Sequence, residues 1–351
     1  MFNNLLKTES CWEFFKATPL PVAVYGTGNG ADRVFSEFEK LGIKVSAVIA
    51  SDGFVVRKRT FHGFEVKSVS QAEAQLGDFV VALAFASPLP QVINNIKVLS
   101  ERHKVIMPSV PVFGDNIFNK EFLKENLQAV EKAYSLLSDE KSKKTFENII
   151  RFQITGDLNY CFDCESEKDE AFSILDLGEN ESFLDLGAYR GDTVKEFLNY
   201  AKSYKKIVAV EPDTKTFRKL TANCENISNF IPLNNAVWSH NCSLCFDSDK
   251  GRGSSAATEG QKIDAVCVDY LFEKYGTFTY LNIDIEGTEK QMLSGALNAL
   301  QHKPKICMAA YHRSEDIFEL INIIASLNHD YKIYLRHHPH ISFWDTNIYC
   351  V

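Results

Sequence analysis

The sequence predicts an α/β protein: two mostly parallel sheets in tandem, each covered by helices. Three observations carry this. Short apolar runs alternate with segments of helical apolar spacing, the pattern of parallel strands joined by crossover helices. Twice an apolar run ends in a glycine-spaced turn that opens a helix, at Gly26 to Gly30 and at Gly187 to Gly191. Beyond Glu181, seven apolar runs follow, at 183–186, 207–210, 230–237, 279–285, 305–310, 331–335 and 347–351, enough for one seven-stranded sheet.

A chain of 351 residues has enough material for two cores. The expected domains are 1–115, a smaller parallel α/β domain; 116–180, a helical bridging region; and 181–351, the larger α/β domain. In the first, Pro21 to Tyr25 reads as a buried strand and Gly26-Thr27-Gly28-Asn29-Gly30 as a turn. Val34, Phe35, Phe38 and Leu41 form a helical stripe. Further strands are expected at 45–49, 79–84 and 105–107. In the bridging region Phe122, Leu123, Leu127, Val130, Ala133, Tyr134 and Leu137 give a second stripe. In the larger domain helices are expected at 193–204, 215–224, 289–300 and 315–327. The polar stretch between Trp238 and Val268, with Gly251, Gly253 and Gly260, reads as β-hairpin material on the sheet's edge.

The composition, 45% apolar and 24% charged, is that of a globular protein. No apolar run approaches the roughly 20 residues that span a bilayer. The first 16 residues lack an uninterrupted apolar segment and carry Glu9 and Glu13, unlike a secretory signal. A cytoplasmic protein is expected. Residues 1–115 carry a net charge of +1 and the remainder −9, so the larger domain is a poor partner for nucleic acid. Nine cysteines, an odd number, read as reduced thiols. Cys161/Cys164 and Cys242/Cys245 have metal-like spacing. They lack the knuckle glycine, however, and the second pair falls in a strand-like run where i and i+3 face opposite ways, so no metal is expected.

Five features of the larger domain carry chemistry. Residues 182–193 (SFLDLGAYRGDT) are an apolar strand ending in Asp185, a turn in which Gly187 and Gly191 let backbone approach a ligand, and a helix opening at Asp192-Thr193. The next apolar run ends at Glu211-Pro212, where a carboxylate can accept both hydroxyl protons of a ribose. The expected ligand is an adenosine derivative. In 281–287 (LNIDIEG), strand periodicity places Asn282, Asp284 and Glu286 on one face, at the carboxyl end where ligands bind in open α/β sheets. His312 ends another strand and suits general-base work. His337, His338 and His340 crowd one segment; neighbours on a strand face opposite ways, so substrate contact fits them better than a metal.

Taken in order, residues 183–193, 210–213 (VEPD), 282–289 (NIDIEGTE), Tyr311-His312 and 334–337 (YLRH) resemble the FkbM family of S-adenosylmethionine-dependent methyltransferases. The resemblance runs from about Leu158 onward. It implies a class I methyltransferase-type sheet, seven strands with a final antiparallel one; the smaller domain before it reads as Rossmann-like from its own alternation of strands and helices. The resemblance implies S-adenosyl-L-methionine as cofactor, held by Asp185, Gly187, Ala188, Tyr189, Gly191, Asp192 and Thr193. Glu211 and Pro212 would lie at the ribose, Asn235 and Ala236 near adenine, and Asp284 near the reacting centre. Asn282 and Arg190 stand where the family commonly has Lys and Asp.

The implied reaction is O-methylation of a hydroxyl on a sugar, glycan or related precursor of polysaccharide biosynthesis. An alcohol must lose a proton as it attacks, so a base helps, by about 10²–10⁴-fold. Asp284 and His312 are the candidates, with Glu286 third; His312, His337 and His338 would face the substrate. The first domain resembles nucleotide-sugar-binding domains through Gly26 to Gly30 and 62–66 (HGFEV), with Asp52 where a ribose-binding acid would stand. The partner is then a small molecule or glycan, and a homo-oligomer is compatible with the chain. Two other readings stay open. One is a nucleotide-sugar oxidoreductase using NAD(P), to which Tyr270 and Lys274 lend a dehydrogenase-like spacing. The other is a non-catalytic cofactor-binding scaffold.

Overall fold

The computed structural model describes residues 2–52, 59–247, 255–257 and 261–351. Gly251, Gly253 and Gly260 of the expected hairpin insert lie outside them. The chain divides into two compact units. The first comprises Met1–Glu131, Lys144–Glu165 and His337–Asp345; the second comprises Lys132–Lys143, Ser166–Arg336 and Thr346–Val351. The stretch expected to bridge two domains, 116–180, is thus shared out between them. It forms the helices Lys120–Leu136, Glu140–Thr155, Asn159–Phe162 and Lys168–Leu175.

In the first unit the strands are β1 (Val22–Tyr25), β2 (Ala47–Ala50), β3 (Thr60–Phe61), β4 (Phe64–Ser68), β5 (Val80–Leu83) and β6 (Lys104–Ile106), in the order β3-β4-β2-β1-β5-β6. All pairs are parallel except the β3–β4 hairpin, whose turn is His62-Gly63. All four β1 residues are buried, as a strand covered on both faces should be. Trp12, Phe15 and Phe38 pack one side of this core. Gly30 opens the helix Asn29–Leu41 close against β5: a Cβ there would lie 2.6 Å from the Ala84 carbonyl oxygen. Asp52 accepts hydrogen bonds from the Ser70 N–H (3.3 Å) and hydroxyl (2.5 Å), so in this structure it anchors the start of the helix Val69–Leu76.

The second unit holds β7 (Glu181–Leu186), β8 (Tyr204–Val210), β9 (Phe230–Leu233), β10 (Ala236–Val237), β11 (Cys242–Asp247), β12 (Ser255–Ala257), β13 (Gln261–Val266), β14 (Tyr280–Ile283), β15 (Lys305–Ala309), β16 (Ile333–His337) and β17 (Thr346–Cys350). Seven of them form one sheet, β16-β17-β15-β14-β7-β8-β9, in which β17 runs antiparallel to β15. This is the class I methyltransferase-type sheet that the sequence implies. Phe183 stacks on Phe197 and Tyr280 at 4.4 and 4.9 Å between ring centres. Each such fully buried side chain contributes roughly 1.5–3 kcal/mol.

One expectation is corrected here. The run 230–237 is two strands. The Asn234 side chain donates to the carbonyls of Glu211 (2.9 Å) and Pro212 (3.0 Å), which ends β9. The chain then pairs elsewhere: β10 runs parallel to β13, and a separate four-stranded sheet forms in the order β10-β13-β11-β12. The insert therefore builds its own sheet and does not extend the edge of the large one.

Candidate active site

Three strands of the second unit end together. Asp185 of β7 and Asn282 of β14 are register partners in a parallel pair, so their side chains share a face. Asn282 Nδ2 donates to Asp185 Oδ1 (3.0 Å), and the Thr193 hydroxyl donates to Oδ2. Asp185 has no exposed surface. Burial pushes its pKa up to about 7, against the pull of those two hydrogen bonds.

The turn beyond β7 is built on left-handed backbone, with φ of 88° at Gly187, 46° at Tyr189 and 86° at Gly191. The N–H groups of Gly187 and Ala188 both donate to the Val210 carbonyl (3.0 Å each), tying the turn to the end of β8. Gly191 then opens the helix Asp192–Tyr200 with no side-chain cap. Ala188 is fully buried in the core, so it can offer a ligand only its backbone. Tyr189 lies partly exposed beside the Arg190 guanidinium.

Glu211 follows β8. Its Oε2 accepts the Tyr189 N–H (3.0 Å) and its Oε1 accepts the Asp213 N–H (2.8 Å). Asp213 in turn caps the helix Thr214–Asn223 by accepting the Thr216 N–H. Burial pushes Glu211 up to about 7, against both backbone donors. This has a consequence for stability. In the unfolded chain Asp and Glu titrate near 3.9 and 4.3. A raised folded pKa adds stability that is complete below the unfolded pKa and is lost as pH rises through the folded one. Ligand-free protein should therefore lose stability from these two groups between about pH 4 and 7. Thermal melts across pH 4.5–8 measure it, and Glu211→Gln should remove roughly half of that slope.

β14 stops at Ile283, so Asp284 and Glu286 are loop residues, and Glu286 has φ of 56°. The single strand face expected for Asn282, Asp284 and Glu286 therefore breaks after Asn282; Gly287, at φ 87°, turns the chain there. What gathers these acids is a histidine. His312 is buried, with Nδ1 2.9 Å from Glu289 Oε1 and Nε2 3.3 Å from Asp284 Oδ1 and 3.4 Å from Glu286 Oε2. Burial works against its charge, but Glu289, Asp284 and Glu286 outweigh it and push its pKa up to about 10. At neutral pH it is a cation, hydrogen-bonded through Nδ1 to Glu289 and facing Asp284 and Glu286 with Nε2. Asp284, with 42% of its side chain exposed, also accepts the Tyr311 hydroxyl at 3.3 Å. Asp284, Glu289 and His312 are donors of a metal-binding type, with ligand atoms within 4.8 Å of one another. The ring turns a different nitrogen toward each carboxylate, Nδ1 to Glu289 and Nε2 to Asp284.

The remaining sequence candidates are placed as follows. Pro212 is partly buried beside Glu211. Asp192 is the exposed first residue of its helix. Asn235 turns its amide to the Asp264 carbonyl (3.1 Å), and Ala236 is buried in β10. His337 and His338 are buried, with exposures of 0% and 2%; β16 extends through His337, which packs on Phe343, and burial pulls its pKa down to about 3. Neither side chain presents surface to an acceptor in this structure. Tyr270 and Lys274 lie on the helix Val268–Tyr275. Tyr270 lines a concavity of about 540 Å³ with His240, Cys267, Asp269 and His302, which includes none of Asp185, Glu211, Asp284 or His312. Sequence reasoning misses the roles of Asn234 and Glu289. The signal for Glu289 is its place two residues after Gly287, inside the 282–289 motif.

Residues 185–333 match the model of the methyltransferase FkbM domain. The fold matches the crystal structure of methyltransferase FkbM from Methylobacillus flagellatus KT with a TM-score of 0.71 at 20% identity, over 94% of this chain and 90% of that one. Weaker likenesses, over 52% of this chain, are to Aeropyrum pernix fibrillarin with bound S-adenosyl-L-methionine (14% identity, 74% of that chain, TM-score 0.34) and to precorrin-6y C5,15-methyltransferase from Geobacter metallireducens GS-15 (10%, 85%, 0.36). A sequence comparison with curated proteins finds no match. Among the described residues, no helix is long and apolar enough to cross a membrane.

Proposed function

We propose, for a chain whose residues 185–333 match the model of the methyltransferase FkbM domain, that the second unit binds S-adenosyl-L-methionine and methylates a hydroxyl of a sugar or related glycan precursor. The supporting observation is the pair of buried carboxylates, Asp185 and Glu211, at the carboxyl ends of adjacent strands around a left-handed glycine turn. The donor set fits the cofactor. Each oxygen of Glu211 accepts one backbone N–H, which leaves a lone pair on each for a ribose hydroxyl. Asp185, Gly187, Tyr189 and Gly191 would hold the methionine end. When bound, the cofactor supplies an electrophilic methyl group. The sugar hydroxyl as acceptor, the cytoplasmic location and a nucleotide ligand for the first unit rest on the resemblance and composition.

The chain's own residues must orient the hydroxyl and take its proton. Asp284 is exposed enough to meet an acceptor and is the base in this reading. His312, charged and buried, does not compete for that proton; it donates toward Asp284 and Glu286 and holds the carboxylates in place. A base so placed contributes about 10²–10⁴-fold.

The test is calorimetry with S-adenosylhomocysteine. Wild type should bind, and Glu211→Ala should bind about 10–100-fold more weakly, the loss expected for hydrogen bonds to a charged group. No heat of binding at high micromolar ligand would remove the reading.

A further inference from the structure

We infer that Glu289 is a positioning residue: its carboxylate clamps the His312 ring to the 285–287 backbone, aims His312 Nε2 at Asp284 and Glu286, and so sets the acid that receives the acceptor's proton. This rests on the reading of Asp284 as base.

Glu289 is 1% exposed, so no acceptor reaches it and it can act only through others. Its Oε1 gathers three N–H groups: His312 Nδ1 at 2.9 Å, Ile285 at 3.2 Å and Gly287 at 3.4 Å. Two of these donors belong to the loop that carries Asp284 and Glu286; the third belongs to the ring that faces both acids. One carboxylate thus fixes both sides of the contact. Its other oxygen, Oε2, is buried without a hydrogen-bond partner. Burying a carboxylate oxygen unsatisfied costs stability, so the packing alone gives no reason for an acid here. Keeping charge on His312 does.

The groups facing His312 agree. Asp284 and Glu286 approach from the loop after β14. Glu289 and Asp316 approach from the helices Glu289–Ser294 and Asp316–Leu327. On the ring's own loop, Tyr311 donates to Asp284, and Arg313 Nε donates to the Gly287 carbonyl at 2.8 Å. Burial raises the pKa of Asp316 and Glu289 raises it further, while His312 lowers that of Glu289 against burial.

The test is a pH titration of the full chain labelled with ¹⁵N at histidine and ¹³C at aspartate carboxyls, with His312→Asn and Asp284→Asn identifying the two signals. In wild type His312 should hold both ring protons through pH 8. In Glu289→Gln its midpoint should fall by about 1–3 units, the effect of losing an opposite charge at this range. The Asp284 carboxyl should then titrate higher. Glu289→Asp keeps the charge and should restore the upward position of His312 in part. Affinity for S-adenosylhomocysteine should stay within about twofold in both variants, the scatter of uncoupled sites. An unchanged His312 midpoint in Glu289→Gln overturns the inference. So does stoichiometric Mn²⁺ bleaching the His312 signal of wild type, which would put a cation where the protons are assigned. A loss of affinity matching that of Glu211→Ala would also overturn it, because Glu289 would then serve the cofactor. Failure of wild type itself to bind S-adenosylhomocysteine would instead remove the methyltransferase reading, whatever the histidine titration gives.

Discussion

Replacing Gly187 with alanine should abolish cofactor binding and cost several kcal/mol of stability. At φ 88° an alanine is strained by itself, by about 1–2 kcal/mol. The steric overlap costs more. An added Cβ would stand 1.9 Å from the carbonyl oxygen of Asp284 and 2.8 Å from its carbonyl carbon. Both are backbone atoms, so no rotamer change relieves the overlap. The turn has to move, and it is bonded at three points: Gly187 and Ala188 to Val210, and Asp284 to Leu186. At about 1 kcal/mol for each hydrogen bond disturbed, the total is roughly 3–5 kcal/mol. Urea unfolding and calorimetry with S-adenosylhomocysteine measure the two losses. Gly28→Ala is the control. Gly28 has no positive φ, and a Cβ there meets nothing within 4 Å, so its effect should be within about 1 kcal/mol. A Gly187→Ala protein with an unchanged urea midpoint and intact binding would show that the turn does not serve the ligand.

Arg336 should carry the second large effect, this time on stability alone. It is 3% exposed, on β16. Its guanidinium donates to Asp139 Oδ2 (2.6 Å), Glu170 Oε1 (2.7 Å), the Ser142 hydroxyl (2.8 Å) and the Leu335 carbonyl (2.9 Å). Truncating one partner of a buried pair costs about 3–5 kcal/mol. Asp139 and Glu170 are each about a third exposed, so water screens part of the loss and the low end is expected. Arg336→Lys should recover only part of it, because a point charge cannot serve four acceptors in a plane. The pH dependence gives a second readout. Burial raises the Asp139 pKa, but Arg336 and Ser142 outweigh it and hold it at about 2. A depressed folded pKa adds stability that is complete above the unfolded value and lost as pH falls toward the folded one. Wild type should thus destabilise between about pH 4 and 2 from this group, and Arg336→Ala should flatten that limb. Equal acid limbs in the two proteins would refute the assignment.

What the sequence reveals of the site depends on distance along the chain. Asp185, Gly187, Gly191 and Glu211 sit at strand ends beside glycine or proline, where local pattern and chemistry coincide; the apolar runs give the seven strands, and the antiparallel β17 is what the family resemblance implies. Period-2 reasoning then runs too far. It carries the strand through Glu286, whereas β14 ends at Ile283 and Gly287 turns the chain into Glu289's reach. The next-to-last run, by contrast, is ended at Leu335, although β16 extends through His337 and buries Arg336 against partners some 170–200 positions earlier in the chain. Spacing holds no record of such pairings. Sequence alone suggests His312 as a base, because histidine usually titrates near neutrality; only its three acidic neighbours, brought together by the fold, make it a lasting cation.

The first unit takes in His337–Asp345, and Ile341 there bridges to Ser87. Synthesis therefore passes through all of the second unit but Thr346–Val351 before the first unit has all its parts. Cutting the gene between the units at any single codon would orphan a piece of one of them. Loop closure across so many residues is slow to pay back entropically, and a nascent chain stalled before codon 337 should remain a substrate for chaperones and proteases.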